Sequence, residues 1–195
     1  MTREEVYIEC LTKLEKSDFL LLELATGMGK SKQAIDIINY LVETKYQGKH
    51  TSMLLLVAKT VHKQTWKDEF KKWGGINVDE LTIECFESLK KHEYESFDFV
   101  VMDECHHLHS DKRLDLFSTL TYGNVIGLSA TIPKKLRQYF QYEYAAEVVT
   151  CSIVDAIEDE VLPEPQIILY PLQLDNIRPT ESIEVNPKAK GKTYY

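Results

Sequence analysis

The sequence predicts an open, mostly parallel α/β sheet with helices on both faces. Three observations carry this. Short runs such as Phe19-Leu20-Leu21-Leu22, Met53 to Val57 and Phe97 to Met102 are apolar on both faces, as in the middle of a parallel sheet. Segments with apolar residues at helical spacing separate these runs at short intervals. Glycines sit at the first strand-to-helix switch, at positions 27 and 29.

The elements follow in order. Residues 4–16 read as a helix, because Val6, Cys10, Leu11 and Leu14 recur at helical spacing. A strand begins at Phe19. A helix from about Lys30 to Thr44 turns Ala34, Ile35, Ile37, Ile38 and Leu41 inward. After the strand at 53–57, a polar helix covers about 62–72 and stops at Gly74-Gly75. Strands are expected near 81–85, 97–102 and 125–128, with a helix near 111–119. Pro133 suits the start of the next helix, to about Phe140. Val148-Val149, a helix near 152–158 and Ile167 to Tyr170 extend the same core. The domain is expected to cover 1–175, with 176–195 a polar tail or linker.

Net charge is −8. An acidic chain repels a polyanion at long range, so any nucleic-acid contact needs a local basic patch or a partner. Lys59, Lys63, Lys67, Lys71 and Lys72 form one basic run; a solvated helix face would look the same. Residues 141–165 carry seven acids and no lysine or arginine, which reads as a solvated face or a docking surface. Cys10, Cys85, Cys105 and Cys151 match no metal or redox spacing and read as free thiols in a reducing compartment. No signal peptide or membrane span is recognised, so a cytoplasmic location is expected, or the cytoplasm or nucleus of a host cell.

Two constellations carry chemistry. The first is Leu24-Ala25-Thr26-Gly27-Met28-Gly29-Lys30-Ser31 at the strand-to-helix switch. Glycines let backbone N–H groups approach phosphate oxygens, and the helix that follows presents its positive end. Thr26, Gly27, Met28, Gly29, Lys30 and Ser31 are the nucleotide-binding candidates. Lys30 reaches β- and γ-phosphates, and Ser31 ligates Mg²⁺. Position 24 is Leu where the full Walker A motif has Gly. The second constellation is Asp103-Glu104-Cys105-His106 at the end of a buried strand, where sheet ligands bind. Asp103 would hold Mg²⁺ through water, and Glu104 would orient and deprotonate the attacking water. His106 reads as a polar link beside the phosphates, and His107 and His109 as exposed loop residues. Ser129 and Thr131, in Gly127-Leu128-Ser129-Ala130-Thr131, could bond to His106 or Asp103, or merely cap the next helix.

Together these elements resemble the first ATPase domain, RecA-like, of a superfamily 2 helicase or translocase of the DExH type. Residues 25–31 resemble its motif I, 103–106 its motif II and 129–131 its motif III; Val57 to Trp66 resembles motif Ia and the helix after it. The resemblance covers about 15–140. It implies ATP and Mg²⁺ as ligands, Lys30, Asp103, Glu104 and His106 as catalytic residues, and Ser129 and Thr131 as coupling residues. It also implies a nucleic-acid track near Lys59, Thr60, His62, Lys63, Thr82 and Ser88, with DNA favoured over RNA. Family members set ATP between two such domains, and the residues after 140 are too few to repeat the unit. Weak turnover, or turnover only with a partner lobe, is therefore expected. The family's upstream adenine-reading glutamine has no counterpart: the first glutamine is Gln33, inside the motif I helix. The alternative is a non-catalytic module that docks on DNA or a larger machine.

Overall fold

In the computed structural model, which describes residues 1–49, 51–74 and 81–165, six strands form one sheet in the order β3-β2-β4-β5-β1-β6. They are β1 (Phe19–Leu24), β2 (Met53–Val57), β3 (Leu81–Cys85), β4 (Ser96–Asp103), β5 (Thr121–Ser129) and β6 (Glu147–Cys151). Every pairing is parallel. The helices are α1 (Arg3–Leu14), α2 (Lys30–Thr44), α3 (Val61–Trp73), α4 (Asp111–Ser118), α5 (Lys134–Tyr144) and α6 (Ile153–Glu158). Met1–Glu164 form one contact unit. The expected strand at 167–170 and the tail at 176–195 lie outside the described residues. No helix among the described residues is long and apolar enough to cross a membrane.

Strand alternation divides the core in two. Leu20, Leu22 and Leu24 of β1 face α1, α2 and α3, packing among Val6, Ile35, Ile38, Trp66 and Phe70. Phe19 and Leu21 face the other way, toward Phe117 of α4 and Leu136 and Phe140 of α5. Each fully buried leucine is worth roughly 1.5–3 kcal/mol, which explains why apolar runs specify β1, β2 and β4 so strongly.

Local signals fix the helix ends. Thr2 and Glu5 form a reciprocal cap at the start of α1, and Ser152 and Asp155 another at α6. Gly74, at φ 75°, ends α3. Two 3-10 turns, Phe86–His92 and Cys105–Leu108, fall where no element is expected from sequence. β5 starts four residues earlier than its apolar stretch implies, because Thr121 and Tyr122 pair with Ser96 and Phe97 of β4.

The topology positions the site. The chain leaves β1 for β2 by passing over β5 and β4, so the strand order reverses beside β1. In open parallel sheets, ligands collect at that reversal, at the carboxyl ends of the strands. The loops after β1, β4 and β5 all emerge there.

Candidate functional site

The loop after β1 is shaped by two left-handed glycines, Gly27 at φ 95° and Gly29 at φ 80°. At that φ any side chain would be strained, and a Cβ on Gly27 would also lie 2.8 Å from Leu162 Cδ2, which would have to move aside. Met28 N donates to Ala25 O at 3.2 Å, closing the turn. Gly29 caps α2 without any side-chain cap, and the first turn of α2 holds no acid. Its N–H groups lack intrahelical acceptors, and its positive end is not neutralised; this arrangement suits an anion. Lys30 Nζ rests on Leu24 O at 3.1 Å. The Arg3 guanidinium donates to Gly27 O at 3.0 Å and braces the loop from α1.

β4 delivers Asp103 and Glu104 to the same edge. Asp103 Oδ2 accepts from Trp66 Nε1 at 2.9 Å. Burial raises the Asp103 carboxyl above its usual range; the adjoining Glu104 pushes the same way, and Trp66, His62 and Lys30 pull against it. A cavity of about 160 Å³ is lined by Ser31, Asp103, His62, Thr65, Trp66 and Glu69. The structure therefore brings Ser31 and Asp103 to one cavity, although one follows β1 and the other ends β4, strands on either side of β5.

Glu104 adopts a left-handed backbone, φ 57° and ψ 55°. For a residue with a Cβ this costs about 1–2 kcal/mol, and such strain gathers at functional sites. Its carboxylate joins a small network. Ser129 Oγ lies 3.3 Å from Glu104 Oε2, and His106 Nδ1 lies 3.2 Å from the same oxygen and 3.0 Å from Ser129 Oγ. Ser129 Oγ is also 2.8 Å from Thr131 O and accepts from Thr131 N at 3.2 Å. A hydroxyl has one proton. When Ser129 donates it to Thr131 O, His106 becomes the donor that holds Glu104.

Ser129 is fully buried, whereas Thr131 is exposed and reaches the network through its backbone. Cys105 is buried under the turn, and its thiol is pushed up to about 12 by burial. His107 departs from expectation: it is half-buried, its ring lies 4.5 Å from that of His106 and 5.9 Å from that of Phe86, and burial lowers its pKa. His109 is exposed.

The six nucleic-acid candidates do not form one surface. Lys59 and Thr60 are exposed just past β2, and Ser88 lies in the turn just past β3. Thr60 Oγ1 is 3.7 Å from Cys85 Sγ, which ties the two loops. His62 instead lines the Asp103 cavity, with Nδ1 buried and unpartnered. Lys63 is held at 2.9 Å by Glu84, whose carboxyl it draws below the usual range. Thr82 pairs with Leu54, near the start of β3 and away from the loop edge.

Sequence reasoning passed over three residues at this edge. Trp66 had a signal, since a buried indole N–H needs an acceptor. Glu23 had one too, as the single acid in an apolar strand. Its carboxylate accepts from Ile132 N at 2.8 Å and pairs with Arg137, fastening the strand before the glycine loop to the loop after β5. Arg3 had none.

A family model described as DEAD/DEAH box helicase matches residues 41–139. That span is half the chain; it holds Asp103 through Thr131, and the glycine loop precedes it. A type I restriction enzyme EcoAI endonuclease subunit of Escherichia coli is 27% identical over 191 residues, covering 83% of this chain and 23% of that protein. Protein QP509L of African swine fever virus (isolate Pig/Kenya/KEN-50/1950), whose name proposes an ATP-dependent RNA helicase, is 29% identical over 131 residues, 56% of this chain and 24% of its own. The chain thus spans about a quarter of the length of these curated relatives. Among solved structures, the UvsW helicase from bacteriophage T4 superimposes with a TM-score of 0.58 at 19% identity, covering 76% of this chain and 58% of that one. The Pyrococcus furiosus Hef helicase domain gives 0.56 at 16% identity, covering 80% and 39%. These likenesses show a RecA-like fold. With that fold and a family match across half its residues, the chain belongs to the DEAD/DEAH box helicase family.

Proposed function

We propose that this chain is the ATP- and Mg²⁺-binding domain of a nucleic-acid-dependent helicase or translocase, and that it turns ATP over weakly unless a second lobe joins it. One observation carries the reading: Ser31 and Asp103 line a single cavity at the open N-terminus of α2.

The donor set fits the ligand. Thr26 to Ser31 supply a glycine turn and uncapped N–H groups for phosphate oxygens, and Lys30 leaves Leu24 O to neutralise them. The Ser31 hydroxyl and the Asp103 carboxylate are oxygen donors of the kind Mg²⁺ takes, directly or through water. When bound, the metal neutralises phosphate charge and orients its oxygens. Trp66 holds one Asp103 oxygen and fixes the carboxylate's orientation; a cation there offsets the burial that otherwise favours the protonated acid. Glu104 accepts the proton of the attacking water, and His106, Ser129 and Thr131 tie its position to the loop after β5. Lys59, Thr60 and Ser88 are the candidates best placed for a phosphate backbone. Lys63 is engaged by Glu84, and His62 faces the metal side.

The test is ATP turnover with and without single- and double-stranded DNA and RNA at stated salt. Binding without stimulation by any nucleic acid points to the docking-module alternative, and unwinding that survives Lys30→Ala overturns the reading. In calorimetry, Lys30→Ala weakens ATP binding while Glu104→Gln leaves it intact and blocks turnover.

A further inference from the structure

The glycine loop is held from the β6 side of the sheet as well as from α1. Its first N–H, at Ala25, donates to Cys151 O at 2.9 Å and carries the β1–β6 ladder into the loop. β6 then feeds α6 through the Ser152–Asp155 cap. α6 ends in a tight turn. Glu160 there is left-handed, at φ 55°, and the N–H groups of Val161 and Leu162 both donate to Ala156 O at 2.9 Å. A carbonyl oxygen has two lone pairs, so one acceptor fixes both residues. The turn brings Leu162 back onto the core cluster that includes Ala25 and Met28 of the loop.

Leu162 is half-buried, and its Cδ2 packs where a Cβ on residue 27 would press. Gly27 is the loop's most permissive joint, because a glycine takes positive and negative φ about equally well. A swing of Gly27 away from φ 95° would re-aim the N–H groups that follow it. Two contacts oppose that swing. Arg3 holds the Gly27 carbonyl oxygen, and Leu162 covers the glycine itself. The turn that delivers Leu162 contains a strained residue, Glu160, and strain of this kind persists where a position is over-determined by its surroundings.

We propose that Leu162 is a positioning residue for the triphosphate: its packing on Gly27 keeps the glycine loop in phosphate-binding shape before the ligand arrives. The inference rests on the nucleotide reading of that loop. Leu162 acts through Gly27 and not on the ligand. A loop ordered in advance spares the ligand the entropy of ordering it, which is the general route by which preorganisation raises affinity.

Calorimetry with Mg²⁺ compares ATP and tripolyphosphate on the wild-type chain, Leu162→Ala, Leu162→Met and Leu14→Ala. Leu14 is the control: it packs on the same core but lies at the opposite end of α1 from Arg3, about 16 Å away at the helical rise. Leu162→Ala should weaken both ligands by one common factor of about 5- to 30-fold, the factor for ordering one residue's backbone on binding instead of beforehand. Tripolyphosphate shares the loss because it offers the loop the same phosphates. Leu162→Met, of similar volume, should restore wild-type affinity. Leu14→Ala should lower Tm and leave affinity unchanged. Equal affinities in the wild type and Leu162→Ala overturn the proposal. So does a loss confined to ATP, or an equal loss in Leu14→Ala, which would mark a general loosening of the core. Where Leu162→Ala fails to fold, Leu162→Val takes its place, and undiminished affinity in that variant overturns the proposal. Failure of both ligands to bind the wild type removes the nucleotide reading itself, and the positioning role with it.

Discussion

Replacing Trp66 with Phe should destabilise the chain by an amount that depends on pH. The indole N–H donates to a mostly buried carboxylate at 2.9 Å, and hydrogen bonds to charged groups contribute about 1.5–3 kcal/mol. For a domain of this length each 1 kcal/mol moves Tm by roughly 2–4 °C. At pH 8, then, Trp66→Phe should lower Tm by about 3–12 °C, besides the effect of lost ring volume. The sign of the pH dependence follows from Asp103. Burial raises its folded pKa above the ordinary value, so stability falls as pH rises from the ordinary carboxyl value through the folded pKa, and the cost is complete above it. Removing the indole donor deepens this cost, and only where Asp103 is ionised. The gap between wild type and variant should therefore be widest at pH 8 and narrow as pH falls through the raised pKa toward 4. The volume effect has no such dependence. Calorimetric melts across that range decide the matter: a gap that is constant with pH, or that widens on acidification, refutes the bond's assigned role.

Three further outcomes follow from the same geometry. Asp103→Asn should stabilise the ligand-free chain above the raised Asp103 pKa, and this gain should vanish below pH about 3.8, the ordinary carboxyl value; melts at pH 4 and pH 8 check it. Glu104→Gly removes a strained left-handed side chain, so it should cost no stability, or add up to about 1 kcal/mol, while abolishing ATP turnover; chemical denaturation beside an ATPase assay reads both. Cys105, buried and with its thiol pushed to about 12, should resist iodoacetamide at pH 8 in the folded chain and react once urea unfolds it, as mass mapping of the labelled peptides would show.

What the sequence discloses depends on the range of the interaction behind each feature. β1, β2 and β4 are legible because a strand covered on both sides needs apolar residues throughout, which shows over five or six neighbouring positions. The glycine loop and the acids ending β4 are legible because phosphate chemistry fixes residue types at short spacing. The partners that hold those groups are another matter. Trp66 and Asp103 are 37 positions apart, and Glu23 and Arg137 are 114 apart, so only the folded sheet brings them together. His62 looked like a neighbour of Lys59 because the two are only three positions apart in the chain. The position of α3 instead turns it toward Asp103. Lys63 counted as one of a basic run until Glu84, on the edge strand, took it up. The 3-10 turn at Cys105–Leu108 leaves too short a pattern to register, which is why His107 read as exposed. The left-handed Glu104 goes against local preference, and local inconsistency of this kind is expected at functional sites rather than in the scaffold.

The loop after β1 and the acid at the tip of β4 are proposed to share one nucleotide and one metal ion. The dependence of ATP affinity on Mg²⁺, measured by calorimetry for the wild type and for Asp103→Ala, tests it most directly. Chelating Mg²⁺ should weaken ATP binding to the wild type by roughly tenfold or more and leave Asp103→Ala unchanged. A variant that responds to Mg²⁺ just as the wild type does would contradict it.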